Sequence, residues 1–149
     1  ELGCGTGLCS LTAAKLGAQV TAMDASAAPL EMLRMAASLQ GLRMKAVMRP
    51  LEAGWTSHAL EVHGRQQLLV VAADVLYTED LADVLAARVN EACAMGACVL
   101  VADSVDMYRE RFESRLHGVS VVHTRESVEG WSAQAILTKA PACGTQMLH

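Results

Sequence analysis

Two apolar runs constrain the fold of this chain more than any other feature. QLLVVAAD (Gln67–Asp74) and ACVLVADS (Ala97–Ser104) are almost continuously apolar over the length of a strand. Half-exposed strands alternate apolar and polar residues, so continuous runs indicate strands covered on both faces, as in parallel sheets. Between them a helix is predicted from an N-cap at Thr78 to Gly96. Its predicted buried stripe is Leu81, Leu85, Val89 and Ala92.

The rest of the chain continues the alternation of helices and strands. Before these runs the predicted elements are a helix over Leu8–Leu16, a strand over Ala18–Asp24, a helix from Ser26 to Gly41 that buries Leu30, Leu33 and Ala37, and a strand over Leu42–Met48. After them come a helix through about Leu116 and two strands, Gly118–Thr124 and Ser132–Lys139, predicted to pair antiparallel across RESVEGW. We therefore expect one α/β domain over residues 1–140 and a tail over 141–149. The domain is predicted to be a three-layer, Rossmann-like doubly wound sheet, mostly parallel with an antiparallel C-terminal strand.

The loop ELGCGTG (Glu1–Gly7) and the acid Asp24 predict a nucleoside site. Ligands bind at the carboxyl ends of parallel strands, and an acid about 20 residues after a glycine loop is where dinucleotide folds bind a ribose hydroxyl. The spacing here is GxGxG, with Leu8 where the dinucleotide fingerprint has its third glycine, and no GK[ST] follows as in a P-loop. Glu1 places a negative charge before the first glycine. That charge suits a cofactor with an ammonium and a sulfonium, such as S-adenosylmethionine, better than one with two phosphates.

Charge and residue counts argue against several classes of function. The net charge of −4 and the aromatic content of 3% disfavour a nucleic-acid surface, which needs basic patches and stacking side chains. The Arg-rich stretch Met107–Leu116 interleaves arginine with glutamate and is predicted to be a solvated helix face. No apolar run approaches the roughly 18–20 residues of a membrane span. The five cysteines form no CxxC pair and the five histidines have no ligand spacing, so we expect reduced thiols and no metal.

Taken together, the motifs resemble those of class I, seven-β-strand, S-adenosylmethionine-dependent methyltransferases. ELGCGTG followed by VTAMD (Val20–Asp24) is similar to the first two cofactor motifs of that family. DVLY (Asp74–Tyr77) is similar to the DxxY motif of its methyltransferase-like protein-lysine methyltransferases. PLEAGW (Pro50–Trp55) is similar to their Leu-x-Trp-Gly turn, but Glu52, Ala53 and Gly54 separate its leucine from its tryptophan. The resemblance extends from Glu1 to about Ala140.

This resemblance implies a role for each matching residue. The implied cofactor contacts are Glu1 at the ammonium, the backbone of Gly3, Gly5 and Gly7 at the methionine part, Asp24 at both ribose hydroxyls, Trp55 beside the adenine, and Asp74. Asp74 and Tyr77 are the implied catalytic residues, which would face the transferred methyl group and line the acceptor channel. The implied acceptor is a protein, at a lysine ε-amino group. Its unperturbed pKa of about 10.4 means that it must lose a proton before it attacks, and Asp74 would attract and orient it.

Three alternatives to protein-lysine methylation stay open at this point. The same fold serves small-molecule and other nitrogen acceptors, although the DxxY motif disfavours them here. A nonenzymatic cofactor-binding module is the second alternative, and a nicotinamide dehydrogenase is a distant third. A nucleic-acid methyltransferase is disfavoured because DVLY stands where base-amino methyltransferases carry Asn/Asp-Pro-Pro-Tyr/Phe.

The position of the glycine loop leads to a further expectation. In the resembling fold the first strand lies at the centre of the sheet and a further segment precedes it, and we expect only Glu1 and Leu2 of that strand to be present in this chain. We expect a chain without most of that strand to be unstable, to bind cofactor weakly and to be inactive, because the neighbouring strands lose backbone partners and apolar burial. Cysteine usage and the resemblance predict a monomer of the cytoplasm, or of the cytoplasm and nucleus.

Overall fold

The computed structural model describes residues 1–51, 68–104, 107–128 and 131–139, and these residues contain six strands and four helices. The strands are β1 (Thr21–Asp24), β2 (Lys45–Met48), β3 (Leu69–Ala73), β4 (Cys98–Asp103), β5 (Ser120–Val128) and β6 (Trp131–Lys139). The helices are α1 (Leu8–Lys15), α2 (Ala27–Leu39), α3 (Glu79–Ala94) and α4 (Arg109–Ser114). Trp55 and the tail over 141–149 lie outside the described residues.

Leu2 joins the two groups of strands into one sheet. β1 pairs parallel with β2, and β3 pairs parallel with β4. Leu2 forms parallel bridges both to Met23 of β1 and to Ala72 of β3, and its N–H donates to the Val71 carbonyl at 2.8 Å. β6 pairs antiparallel with β4 and with β5. The order is therefore β2–β1–Leu2–β3–β4–β6–β5, which confirms the mostly parallel sheet with an antiparallel C-terminal strand.

The predicted buried stripes of the two longest helices are largely confirmed. Leu85, Val89 and Ala92 of α3 are 0% exposed and pack with Leu2 and Phe112 in the main apolar cluster. The predicted stripe of α2, which consists of Leu30, Leu33 and Ala37, is buried as well. Each fully buried leucine or valine stabilises the fold by about 1.5–3 kcal/mol. Leu81 differs, because it is only partly buried and lines the cavity described below.

The N-termini of the two longest helices are held differently. Thr78 caps α3 as predicted, since its hydroxyl accepts a hydrogen bond from the Leu81 N–H at 3.2 Å. Ser26 stands at the N-cap of α2 but makes no side-chain cap bond. Its own N–H instead donates to Asp24 Oδ1 at 2.9 Å, because an aspartate can bond the backbone two residues ahead of it.

The prediction of a solvated Arg-rich face over Met107–Leu116 is partly wrong. Arg109 is 7% exposed and Phe112 is 0% exposed, so α4 turns one face into the protein. Arg111 and Arg115 pair across to Asp83 of α3 at 2.7 Å and 3.3 Å rather than with the glutamates of their own segment. The local charge pattern did not reveal these partners because they lie about thirty residues away in the chain.

The antiparallel pair is also longer than the sequence predicted. β5 continues to Val128, which pairs with Trp131 at the start of β6. Four residues of the predicted connection RESVEGW, 125–128, therefore belong to the strand. No helix among the described residues has the length and apolar character that crossing a bilayer requires.

Candidate functional site

A cavity of about 470 Å³ opens at the carboxyl ends of the parallel strands. Its lining includes five of the residues that the sequence singled out, namely Gly3, Gly5, Asp24, Asp74 and Tyr77. Asp24 is the last residue of β1, and the other four residues follow Leu2 or β3; these strand ends meet at one edge of the sheet. The volume lies within the range of about 300–1,000 Å³ that is typical of small-molecule sites.

The three loop glycines have different surroundings. A Cβ on Gly3 would stand 2.7 Å from Val75 Cγ1, and a Cβ on Gly7 would overlap the buried side chain of Leu33. A Cβ on Gly5 would meet no heavy atom within 4 Å. Gly3 and Gly7 therefore allow close packing within the protein, whereas Gly5 leaves open space beside the backbone. Gly7 begins α1 and does not line the cavity.

Asp24 connects the glycine loop to the end of β1. Its Oδ2 accepts the Gly5 N–H at 2.9 Å, and its Oδ1 accepts the Ser26 N–H at 2.9 Å. A carboxylate has about four acceptor positions, so each oxygen keeps capacity for one further donor. This arrangement can accept a pair of neighbouring hydroxyls while it holds the loop in place.

Glu1 lies on the other side of the loop and contacts α1. Its Oε2 accepts hydrogen bonds from the Ser10 N–H at 2.9 Å and from the Ser10 hydroxyl. Ser10 is the third residue of α1, so the carboxylate caps a helix N-terminus, where negative charge is favourable. Glu1 is not among the described residues that line the cavity. Its binding of the cofactor ammonium stays a prediction, and its capping role was missed by the sequence analysis.

The loop after β3 has two buried residues, Val75 and Leu76, between two exposed ones, Asp74 and Tyr77. Val75 and Leu76 are 4% and 2% exposed, whereas Tyr77 is 67% exposed. Asp74 has a positive φ of 51°, and its Oδ1 accepts the N–H of Ser104 at 2.8 Å and the hydroxyl of Ser104 at 2.6 Å. The two central residues hold the loop in the core, and Asp74, Val75 and Tyr77 line the cavity.

Several further residues of the lining were not predicted as part of the site. Arg49 follows β2, and Asp80, Leu81 and Val84 lie on α3. Arg49 obeys the same strand-end rule that identified Asp24 and could have been found by it. Asp80 is an acid in the first turn of α3. Of the described charged residues in the lining, three are acidic and one is basic.

The thiols beside the loop are held in their neutral form. Burial, reinforced by the carboxylates of Glu1 and Asp24, raises the pKa of the Cys4 thiol to about 11. Burial and Glu1 also raise the pKa of the Cys9 thiol. Since the thiolate is the nucleophile and the metal ligand, neither thiol is suited to covalent chemistry at neutral pH. Within the described ranges, no group of three or more His, Cys, Asp or Glu side chains could hold a metal ion.

Comparisons with known proteins agree with this geometry. A family model described as lysine methyltransferase matches residues 1–116. Among solved structures, an rRNA methylase from Streptococcus thermophilus is 14% identical, with a TM-score of 0.64 over 91% of this chain and 82% of that chain. Magnesium protoporphyrin IX methyltransferase from Synechocystis with bound SAM is 16% identical, with a TM-score of 0.65 over 93% and 67%.

The N-terminal domain of human METTL16 in complex with SAH is 14% identical, with a TM-score of 0.70 over 93% of this chain and 59% of that chain. Identities this low show a shared fold and do not transfer a substrate. No curated protein gave a significant sequence match.

Proposed function

This chain belongs to the lysine methyltransferase family, and we propose that it transfers a methyl group to the ε-amino group of a lysine in a protein substrate. It is a class I, S-adenosylmethionine-dependent methyltransferase with a Rossmann-like fold. One observation carries the choice of acceptor. Asp74 and Tyr77 of the DxxY motif line the same cavity as Gly5 and Asp24.

The described residues fit S-adenosylmethionine. The open space beside Gly5 allows a ligand to approach the loop backbone, and Asp24 keeps one acceptor position on each oxygen. We assign Asp24 to the two ribose hydroxyls and the Gly3–Gly5 backbone to the methionine part. We assign Gly7 a packing role, because it allows α1 to begin close to Leu33. We assign Glu1 two roles: it caps the N-terminus of α1 through Ser10, and it attracts the ammonium of the cofactor.

Asp74 and Tyr77 are proposed to receive the acceptor. A lysine head is cationic at neutral pH and is attracted to the Asp74 carboxylate. The apolar side chains of Val75, Leu81 and Val84 line the same cavity and favour the neutral amine, which is the attacking form. Tyr77 reaches the cavity from an exposed position and can accept a hydrogen bond from the amine, which orients its lone pair.

When bound, S-adenosylmethionine supplies a methyl group activated by a sulfonium, and its C–S bond breaks as the new N–C bond forms. The protein contributes positioning, which can account for several kcal/mol of the barrier. Asp24 and the loop hold one reactant, while Asp74 and Tyr77 hold the other. The proton that the amine loses before attack passes to water at the open side of the cavity.

A protein acceptor fits the charge of the cavity better than a nucleic acid does. Asp24, Asp74 and Asp80 outnumber Arg49 among the described charged residues of the lining. A phosphodiester backbone is repelled by this surplus, whereas a lysine side chain is attracted. RNA methylases among the structural neighbours share the fold at 13–14% identity.

Methyl transfer from radiolabelled S-adenosylmethionine tests the proposal. The purified protein is presented with lysine-containing peptide arrays, the same arrays with lysine replaced by arginine, total RNA and a panel of metabolite amines. We expect incorporation into lysine peptides and its loss in the arginine arrays. Asp74→Asn should lower kcat about tenfold to 100-fold while it leaves the fold intact. Incorporation only into RNA or only into metabolites would contradict a protein-lysine acceptor.

A further inference from the structure

Two consecutive residues at the end of β4 hold the DVLY loop at two points. Ser104 donates to Asp74 Oδ1 through its N–H at 2.8 Å and through its hydroxyl at 2.6 Å. The buried Asp103 accepts the Leu76 N–H through Oδ2 at 3.1 Å. Ser104 lies thirty positions after Asp74 in the chain, immediately after β4, which is the strand that pairs with β3.

The backbone of Asp74 explains why its side chain needs such a contact. Its φ of 51° is a left-handed conformation that non-glycine residues rarely adopt, although aspartate tolerates it better than most. Its N–H donates to the Ala102 carbonyl at 2.8 Å, so β4 holds both the backbone and the side chain of this residue. An exposed aspartate without such bonds would rotate among several side-chain conformations.

Both Ser104 donors bind the same carboxylate oxygen. Oδ1 has two acceptor positions, and the N–H and the hydroxyl of Ser104 occupy both of them. No donor among the described residues bonds Oδ2. This division leaves one oxygen to hold the side chain still and the other to meet a cation in the cavity.

We propose that Ser104 is a positioning residue for methyl transfer, which fixes the Asp74 carboxylate so that Oδ2 faces the acceptor amine. The inference rests on the proposed role of Asp74 at the acceptor. Ser104 and Asp74 are both exposed, so water can replace the lost hydroxyl donor and the fold loses little when it is removed. The orientation of the carboxylate is lost instead, because the remaining N–H bond permits rotation about its axis.

Binding of sinefungin tests this without a known acceptor. This analogue of S-adenosylmethionine carries an amine where the transferred methyl group would be, so its cation reports on Asp74. S-adenosylhomocysteine has no group at that position and reports only on the rest of the cofactor site. The readout is the ratio of the two dissociation constants, measured by calorimetry for wild type, Ser104→Ala, Ser104→Thr and Asp74→Asn.

We expect the preference for sinefungin to fall about tenfold in Asp74→Asn and about threefold in Ser104→Ala, with S-adenosylhomocysteine affinity unchanged. Ser104→Thr keeps the hydroxyl and should restore the preference. Ser114→Ala is the matched control, since its hydroxyl bonds the Arg111 carbonyl at 2.7 Å on α4, and it should leave the ratio unchanged.

Each other outcome identifies what has failed. A lower ratio in Asp74→Asn with a wild-type ratio in Ser104→Ala would overturn the role of Ser104 and leave the proposed function standing. A wild-type ratio in Asp74→Asn would overturn the proposed role of Asp74 itself, and the role of Ser104 with it. Equal losses for both ligands in Ser104→Ala, with a lower melting temperature, would make Ser104 a structural residue and also overturn the inference.

Discussion

The two aspartates of the site, Asp24 and Asp74, are held in opposite ways. Asp24 receives one backbone N–H on each oxygen, from Gly5 and Ser26. Asp74 receives two donors on a single oxygen, both from Ser104. The first arrangement leaves two equivalent acceptor positions side by side, as a pair of ribose hydroxyls requires. The second leaves one oxygen for one cation.

The surroundings of the two aspartates also differ, because backbone groups dominate around Asp24 and side chains dominate around Asp74. The part of the site around the glycine loop and Asp24, called here the cofactor half, is built by backbone contacts. Gly3 and Gly7 pack closely against Val75 and Leu33, and the N–H groups of the loop bond to Asp24 and Cys4. The part of the site around Asp74 and Tyr77, called here the acceptor half, depends on side chains, namely the Ser104 hydroxyl and the exposed Tyr77. Substitutions should therefore impair cofactor binding or folding in the first half, and turnover in the second.

The largest effect is expected for Asp24→Ala. It removes two charge-assisted contacts to the ribose and releases the loop, and each contact contributes about 1.5–3 kcal/mol. We expect S-adenosylmethionine to bind about 100-fold to 10,000-fold more weakly by calorimetry. Glu31→Ala, which removes an exposed acid of α2, should bind normally. Wild-type affinity in Asp24→Ala would refute the difference drawn between the two halves.

The glycine loop offers a matched pair of substitutions. Gly7→Ala should lower the free energy of unfolding by about 2–4 kcal/mol, because its φ is 81° and Leu33, which it would overlap, is 0% exposed. Gly5→Ala should lower it by about 1–2 kcal/mol, since only the left-handed backbone opposes it. Urea denaturation measures both.

Cofactor affinity separates the same two substitutions. Gly5→Ala should weaken S-adenosylmethionine binding strongly because its Cβ occupies the open space beside the loop. If Gly5→Ala proved the more destabilising substitution and bound cofactor normally, the assignment of packing and ligand roles would be reversed.

Tyr77→Phe should produce a smaller change, confined to turnover. Losing one hydrogen bond to the acceptor is expected to lower kcat about tenfold or less. Because Tyr77 is 67% exposed, the melting temperature and the affinity for S-adenosylmethionine should stay as in the wild type. Steady-state kinetics on a lysine peptide identified by the arrays measure kcat. A loss of cofactor affinity would place Tyr77 in the cofactor half instead.

The smallest expected effect is the pH dependence of folding stability that arises from the Cys4 thiol beside the glycine loop. The pKa of its thiol is raised from 9.0 to about 11 in the folded protein, so folding favours the protonated form. Its contribution to stability is complete below pH 9 and is lost as pH rises from 9 through 11. Denaturation at pH 8 and pH 10 should show a steeper decline for wild type than for Cys4→Ala. Equal slopes would contradict this effect of Cys4.

The elements that the sequence predicted best are those whose signal lies within one segment. The apolar runs became β3 and β4, in which Val70, Ala72, Val99 and Val101 are buried, but the residues between them are only partly buried and Leu69 is 53% exposed, so the expected burial of both faces is not met. The stripes of α2 and α3 follow from helical spacing. Thr78 is a cap because the residue that it bonds, Leu81, is three positions away. Asp24 was identified by the rule that ligands meet the ends of parallel strands and Asp74 by the resemblance of DVLY to the DxxY motif, and both line the cavity.

What the sequence by itself determined is the architecture, the edge of the sheet that holds the site, and the class of cofactor. Only the tertiary structure decided how the site residues are held. Glu1 caps α1 through Ser10, Arg109 is buried, and Ser104 fixes Asp74. The physical reason is the separation along the chain between the residues that are in contact. Burial patterns and caps depend on neighbours in the chain, whereas these contacts join residues from separate elements that come together only when the strands pair and the helices pack on the sheet.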